Sequence, residues 1–280
     1  MRAAVREAGA RRLTVTDREP LTDIHCHLLA GLDDGPGSWD ETLAMAEMAV
    51  ADGIGTIVAT PHQLGGYPEN SPERIRTETA RLQALLDERG IALRVLPGAD
   101  VRVEPDLPAK VRRGEVLTLA DRGRHVLLEL PHEVYFPLDR LLAEMSEAGL
   151  VGILSHPERN QGVLRKPGVL RPLVAAGCLV QVTAASLTGL FGFRVQRLAE
   201  SLILKGVVHC VSSDAHGTHA RTPVLGPALE RVARLIGRPA AVDLFCRNPA
   251  RIASGRDVAS RPERGKLASW GSWLSWKKAG

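Results

Sequence analysis

Aromatic residues make up only 4% of the 280-residue chain. A buried core must therefore be assembled from Val, Leu, Ile and Ala, the usual composition of parallel sheets covered by helices. Cysteine is equally scarce. Cys26, Cys178, Cys210 and Cys246 never stand in a CxxC pair, which excludes a zinc ribbon and argues for a reducing compartment over a disulfide framework. A cysteine-dependent phosphatase needs Cys-x5-Arg, and no cysteine has it; Arg251 follows Cys246 one position too early. A Gly-x-Ser-x-Gly elbow and a phosphate-cradling Walker loop are both missing. No apolar run reaches membrane-spanning length, and the Arg-rich start lacks the hydrophobic centre of a signal peptide, so a cytoplasmic protein is expected.

Charge is uneven. The formal net charge is +4, but residues 1–20 set five Arg against Glu7, Asp17 and Glu19, and residues 261–280 set five Lys or Arg against Glu263. What lies between is slightly acidic, which speaks against nucleic acid as a partner. The expected organisation is a flexible arm over 1–20, one globular domain over 21–255 and a basic tail over 256–280. Trp270, Trp273 and Trp276 in that tail have helical spacing, suited to a membrane surface, the barrel or a second subunit of a homo-oligomer.

Within the domain, short apolar runs alternate with helical stretches. Ser38-Trp39-Asp40-Glu41 reads as a capping box opening a helix that runs to Gly53, and Ser71-Pro72-Glu73 as an N-cap for a helix ending near Gly90. Seven strands are expected, near Thr22–His27, Thr56–Thr60, Ala92–Leu96, Val126–Leu130, Val151–Leu154, Leu179–Val182 and Val207–Val211. Alternation of this kind means parallel pairing with crossover helices.

Almost every strand delivers His, Asp or Glu at or just past its C-terminal end. The set is His25, His27, Asp34, His62, Asp100, Glu129, His156, Asp214 and His216. In a closed βα barrel these ends converge on one rim, where barrel active sites sit; an open sheet would string them along a line. Five imidazoles and four carboxylates exceed the needs of one ion and suit two or three, and donors without thiolate fit manganese, iron or zinc. Glu129 stands inside an apolar strand, where metal ligation, or an ion pair with an arginine, would offset its burial. Clustered ions suit phosphoester hydrolysis by metal-activated hydroxide. Arg159 and Arg221 lie close enough in sequence to reach the same rim and match phosphate geometry. His209 reads as a core histidine and His132 as a residue bordering the pocket or packed beside it; His125 and His219 take no role.

The motifs Asp23-Ile24-His25-Cys26-His27, Gly31-Leu32-Asp33-Asp34-Gly35-Pro36, Ala59-Thr60-Pro61-His62, Pro97-Gly98-Ala99-Asp100, Leu128-Glu129-Leu130, Ser155-His156-Pro157-Glu158-Arg159 and Ser212-Ser213-Asp214-Ala215-His216 resemble, in order, the polymerase and histidinol phosphatase (PHP) superfamily. More narrowly, the chain resembles the manganese-dependent bacterial tyrosine-protein phosphatases of capsular and exopolysaccharide systems. The resemblance implies a distorted (β/α)7 barrel and a trinuclear Mn2+ centre built on the nine residues above. It also implies phosphate binding by Arg159 and Arg221, and a partner tyrosine kinase, autophosphorylated and met at the inner membrane. Two departures stand out: Asp100 where the family more often has Glu, and Thr183 where Asn is usual. Readings that share these residues are a small-molecule phosphatase of the histidinol-phosphate type, an amidohydrolase and a non-catalytic binding module. The absence of lysine from the expected strands disfavours the amidohydrolase, and the complete donor set disfavours the idle module.

Overall fold

A computed structural model describes residues 19–258. The expected arm ahead of Glu19 and the tail with Trp270, Trp273 and Trp276 lie outside the described residues. Glu19 itself is held by the Arg247 guanidinium, 2.5 Å away, and Asp257 by that of Arg124, 2.6 Å away.

The strands are β1 (Leu21–Cys26), β2 (Ile54–Ala59), β3 (His62–Gln63), β4 (Arg94–Pro97), β5 (Asp100–Arg102), β6 (His125–Glu129), β7 (Val151–Leu154), β8 (Leu179–Thr183) and β9 (Cys210–Ser212). All pairings between them are parallel, in the orders β1-β2-β4 and β3-β5-β6-β7-β8-β9. Two pairs are successive pieces of one run: β2 and β3 are parted by Thr60-Pro61, and β4 and β5 by Gly98-Ala99. Gly98 has to be glycine, because a Cβ there would sit 2.6 Å from Cγ1 of Val58. The sheet curls until its ends approach. Cys26 bridges Ala215 in parallel, the His27 N–H donates to the Ala215 carbonyl (2.9 Å), and the Asp214 N–H donates to the His25 carbonyl (2.8 Å). The architecture is thus mixed α/β around a curled parallel half-barrel.

Helices form where the caps require. Ser38 accepts from the Glu41 N–H at the start of Trp39–Asp52, which Gly53 ends in the left-handed region. Ser71 accepts from the Arg74 N–H ahead of Pro72–Arg89, which Gly90 ends in the same way. The sheet's concave side is filled by Ile24, Val58, Leu127, Ile153 and Cys210, closed below by Ile252 and Ala253. Its other face packs on the helices through residues such as Val126, Leu128, Leu154 and Val182 against Met45, Leu82, Leu142 and Leu202.

Strict alternation would put Ile24 and Cys26 on one face of β1. Instead Ile24 belongs to the concave cluster and Cys26 to the helix-facing one, because the register with β2 shifts between Asp23 and Cys26. An irregularity of this kind re-aims the side chains that follow it, here the two histidines.

Candidate metal centre

The end of β1 is clamped from both sides before its histidines are placed. Asp23 is fully buried, and its Oδ1 accepts from the His25 N–H (3.2 Å) and the Ser213 N–H (3.1 Å), tying β1 to the loop after β9. Burial raises its carboxyl to about 6 in spite of those bonds. On the other side the Cys26 N–H donates to Thr60 Oγ1 (3.0 Å), and the Thr60 N–H donates to the Cys26 carbonyl (2.9 Å).

Each of three histidines has one ring nitrogen engaged outside the centre. His25 Nδ1 donates to Gln181 Oε1 (3.1 Å), His27 Nδ1 to Asp33 Oδ2 (2.6 Å) and His216 Nδ1 to the Asp214 carbonyl (3.1 Å). These bonds fix the tautomer and leave the Nε2 lone pairs turned inward, the usual preparation of imidazole ligands. His25 Nε2 and His27 Nε2 lie 3.3 Å apart, and Asp214 Oδ1 is 3.3 Å from the first and 3.6 Å from the second. Burial holds both imidazoles neutral, His25 down to about 4 and His27 well below its ordinary range.

The remaining expected residues complete the cage. His62 Nε2 is 3.5 Å from Asp34 Oδ1, and its Nδ1 is 3.5 Å from Asp100 Oδ2 and 3.6 Å from Glu129 Oε2. His216 Nε2 approaches the same Asp34 oxygen at 3.2 Å. Donor atoms within 4.8 Å of one another form four overlapping groups: His27-Asp34-His62-His216, His25-His27-Asp100, His25-His156-Asp214 and His62-Asp100-Glu129. All nine expected donors are therefore gathered in one place. His62 belongs to two groups through different nitrogens, and a neutral imidazole has one lone pair to give, so it can hold a cation on only one side.

Electrostatics test whether cations fit. Both oxygens of Asp100, Oδ1 of Asp214 and Nδ1 of His62 are buried without a hydrogen-bond partner among the described residues. Burial, reinforced by Glu129 and Asp214, pushes the Asp100 carboxyl well above the carboxylate range. Burial likewise raises Glu129 to about 7, with Arg102 opposing it. Orphaned carboxylate oxygens facing neutral imidazoles are an arrangement that divalent cations relieve, so the donor set fits them. Asp214 differs. Burial acts upward on it too, but the groups gathered on its oxygens, with the Arg221 and Arg159 guanidiniums the charged ones among them, outweigh that and hold it well below the usual range.

The two expected arginines meet on Asp214. Arg221 Nη2 is 2.6 Å from Oδ2, and Arg159 Nη1 donates to the same oxygen. Both guanidiniums line a cavity of about 280 Å3 with Asp34, His62, Glu129, His156 and His216. The backbone is left-handed at His156 (φ 31°) and Asp214 (φ 52°), rare for non-glycine residues and common where a site over-determines its geometry. Gly35 has no room for a side chain, since a Cβ would stand 2.8 Å from the His27 carbonyl oxygen.

Several residues enter the site unannounced. Asp33, neighbour of the expected Asp34, backs His27. Gln181 serves His25 and also accepts the His156 N–H (3.2 Å). Tyr67 stacks on His62 with ring centroids 5.2 Å apart. Arg102 Nη2 lies 3.2 Å from Glu129 Oε2, so the ion pair weighed for Glu129 exists beside its contacts with the donor group. His132 lines the cavity from an exposed position. Thr183 is buried, and its N–H donates to Glu158 Oε1 (2.9 Å). His209 has a core role, its Nδ1 accepting the Val180 N–H (3.1 Å). All four cysteines are buried and their thiols raised by burial, Cys246 to about 11, so none offers a thiolate nucleophile. No helix of the described residues is long and apolar enough to cross a membrane.

Residues 21–254 match the family model described as capsular polysaccharide synthesis, CpsB/CapC. The chain is 34% identical to the tyrosine-protein phosphatase YwqE of Bacillus subtilis over 72% of its length and 79% of that protein's. It is 28% identical to the tyrosine-protein phosphatase CpsB of Streptococcus pneumoniae over 83% of its length and 98% of that protein's. A solved structure from work on B. subtilis YwqE and S. pneumoniae CpsB, described there as unique metal-dependent tyrosine phosphatases, superimposes with a TM-score of 0.83. That match has 30% identity and covers 87% of this chain and 98% of the other.

Proposed function

The chain belongs to the capsular polysaccharide synthesis CpsB/CapC family, and we infer that it is a metal-dependent protein-tyrosine phosphatase whose chemistry involves no cysteine. The observation that carries this reading is the meeting of three kinds of group at one cavity. Imidazoles, carboxylates with buried oxygens that lack a hydrogen-bond partner among the described residues, and a pair of arginines converge there. We assign His25, His27, Asp34, His62, Asp100, Glu129, His156, Asp214 and His216 as the ligands of two or three divalent ions. Mn2+ is the native ion in this reading, with iron or zinc as substitutes, because the donors are nitrogen and oxygen without thiolate. Such ions, when bound, make hydroxide available near neutral pH and neutralise charge on a phosphate.

The chain's own groups do the rest. Arg159 and Arg221 are anchored on Asp214 Oδ2, which leaves N–H groups of each fork directed at the cavity. Held there, they would receive the non-bridging oxygens of a phosphate and stabilise charge as it grows on them. Gln181, Asp33 and the Asp214 carbonyl engage the Nδ1 atoms and so turn the Nε2 atoms of His25, His27 and His216 inward. The substrate in this reading is a phosphotyrosine protein, a bacterial tyrosine kinase of polysaccharide synthesis. The nine strand segments are read as seven barrel positions within a 21–255 domain.

Turnover of a phosphotyrosine peptide and of histidinol phosphate, measured side by side with elemental analysis of the same sample, tests the reading. Bound divalent metal and a strong preference for the peptide are expected, with activity lost on chelation. A chain that hydrolyses the peptide equally well without metal, or prefers histidinol phosphate, overturns it.

A further inference from the structure

The cavity has more lining than the cations and the phosphate require. Apart from the assigned donors and the two arginines, Leu130, His132, Ser155, Pro157 and Asn160 form its wall. Leu130 and Pro157 are apolar. The Ser155 hydroxyl donates to the Leu128 carbonyl (3.1 Å). Both ends of the Asn160 amide are taken, Oδ1 accepting the Val163 N–H (3.0 Å) and Nδ2 donating to two carbonyls. His132 differs from these. It is exposed, and among the described residues its ring makes no hydrogen bond or ion pair.

The loop that carries it is nevertheless held closely. After β6 the chain turns over Pro131–Val134 with His132 inside the turn, the Val134 N–H donating to the Pro131 carbonyl (3.3 Å). The two Asn160 N–H bonds reach the carbonyls of Pro131 (2.8 Å) and Val134 (2.9 Å), one on each side of His132. The His132 carbonyl itself accepts the Gln161 N–H (2.9 Å). Gly162 completes the contact, since a Cβ there would stand 2.6 Å from Cβ of Tyr135. The loop is thus fastened to the residues that directly follow Arg159. An exposed imidazole keeps a set place beside a guanidinium assigned to phosphate.

Phosphotyrosine leaves a chemical demand at this wall. Its leaving oxygen is that of a phenol with a pKa of about 10, so a proton delivered as the bond breaks speeds its departure. Guanidiniums cannot supply one, because they do not deprotonate, and the imidazoles of the cage are assigned to cations. Histidine exchanges protons near neutral pH. We propose that His132 is the general acid that protonates the departing tyrosine, with Leu130 and Pro157 as the apolar wall beside the aryl ring. The proposal rests on the phosphatase reading of the cavity. As an oxygen from water bonds to phosphorus, the bond to the phenolic oxygen breaks and leaves its electron pair there. The His132 imidazolium gives that oxygen a proton, and tyrosine departs with its hydroxyl complete. The attacking water releases its proton to solvent, from which the exposed ring takes one back.

The experiment compares the full Mn2+-loaded chain with His132→Ala and His132→Gln, the second keeping an N–H that can donate but cannot be given up. The substrates are a phosphotyrosine peptide, phenyl phosphate and p-nitrophenyl phosphate. Both variants should lose about 10²-fold in kcat on the peptide and on phenyl phosphate. On p-nitrophenyl phosphate, whose leaving group is far more acidic, the loss should be only about threefold. Metal retained on dialysis, and affinity for inorganic phosphate by calorimetry, should match wild type. Equal losses on all three esters, or wild-type rates in either variant, overturn the acid and leave the phosphatase reading standing. Loss of metal or of phosphate affinity also overturns it, by making His132 a support of the cage. If the wild type turns over none of the esters, the phosphatase reading falls and the acid falls with it.

Discussion

Nδ1 of His27 stands 2.6 Å from Oδ2 of Asp33, and the same carboxylate oxygen receives the His62 N–H at 2.9 Å. One side chain that need touch no ion thus sets the tautomer of one imidazole and the position of another. Asp33→Asn puts an amide in its place, which can donate to Nδ1 and shift the His27 proton onto the inward Nε2. Affinity of the metal-stripped chain for Mn2+, measured by calorimetry, should fall about 10–100-fold. Unchanged affinity would show that Asp33 only fastens the loop.

Arg159 and Arg221 share Asp214 Oδ2 but are expected to serve the phosphate rather than the ions. Replacing either by Ala should lower kcat on a phosphotyrosine peptide by about 10²-fold. Metal content after dialysis should be retained, since removing a cation from the side of Asp214 leaves more negative charge for the ions. Loss of metal together with activity would mean that the arginines hold the cage and not the substrate.

The sequence makes this donor group legible because His, Asp and Glu at strand ends have to be spelled out as residue types, one or more after each apolar run. All nine come together as the parallel grammar implies. Helix limits are equally plain where a cap dictates them, as at Ser38, Gly53, Ser71 and Gly90. What supports the cage is harder to read. Gln181 acts from the middle of a strand, where a lone amide gives no signal, and the register shift in β1 depends on β2 pairing across thirty residues. Tyr67 and Arg102 reach the site from loop and strand positions with no periodic pattern. Asp33 could have been suspected from its place beside Asp34, since a paired carboxylate next to a ligand often buttresses a histidine. The breaks that split two strands at Thr60-Pro61 and Gly98-Ala99 had signals in Pro61 and Gly98, which interrupt a ladder.

His125 offers a pH test remote from the cage. It is buried at the start of β6, and neither ring nitrogen has a hydrogen-bond partner among the described residues. Burial, with Arg124 adding to it, lowers its pKa from 6.5 to about 4. The folded state therefore holds the neutral ring, and the protonated form is favoured on unfolding. Stability from this source is complete above pH 6.5 and is lost as pH falls toward 4. His125→Leu should remove that loss, so that between pH 7 and 5 the wild type weakens by about 1–2 kcal/mol more than the variant in urea unfolding. Parallel pH profiles would place the ring in contact with water.

Asp100 separates what the cage costs the bare chain from what ions return to it. Both its oxygens are buried without partners, and burial together with Glu129 and Asp214 pushes its carboxyl well above the ordinary range. For an acid raised in the folded state, stability is lost as pH climbs above 3.8 toward the folded value, so near neutrality the metal-free chain carries the penalty. Asp100→Asn removes the charge and supplies an amide N–H that can donate toward His25 Nε2 or His62 Nδ1, each 3.5 Å from the native oxygen. In the presence of chelator the variant should therefore melt higher than the wild type. With Mn2+ at about a hundred times its Kd the order should reverse, because the wild type gains about 2.7 kcal/mol, on the order of 5–10 °C for a domain of this size, and the variant much less. Differential scanning calorimetry of both chains, with chelator and with Mn2+, gives four melting temperatures. A variant that melts lower than wild type under chelation would show that Asp100 is held by partners within the fold, and that the cage is not built around missing positive charge.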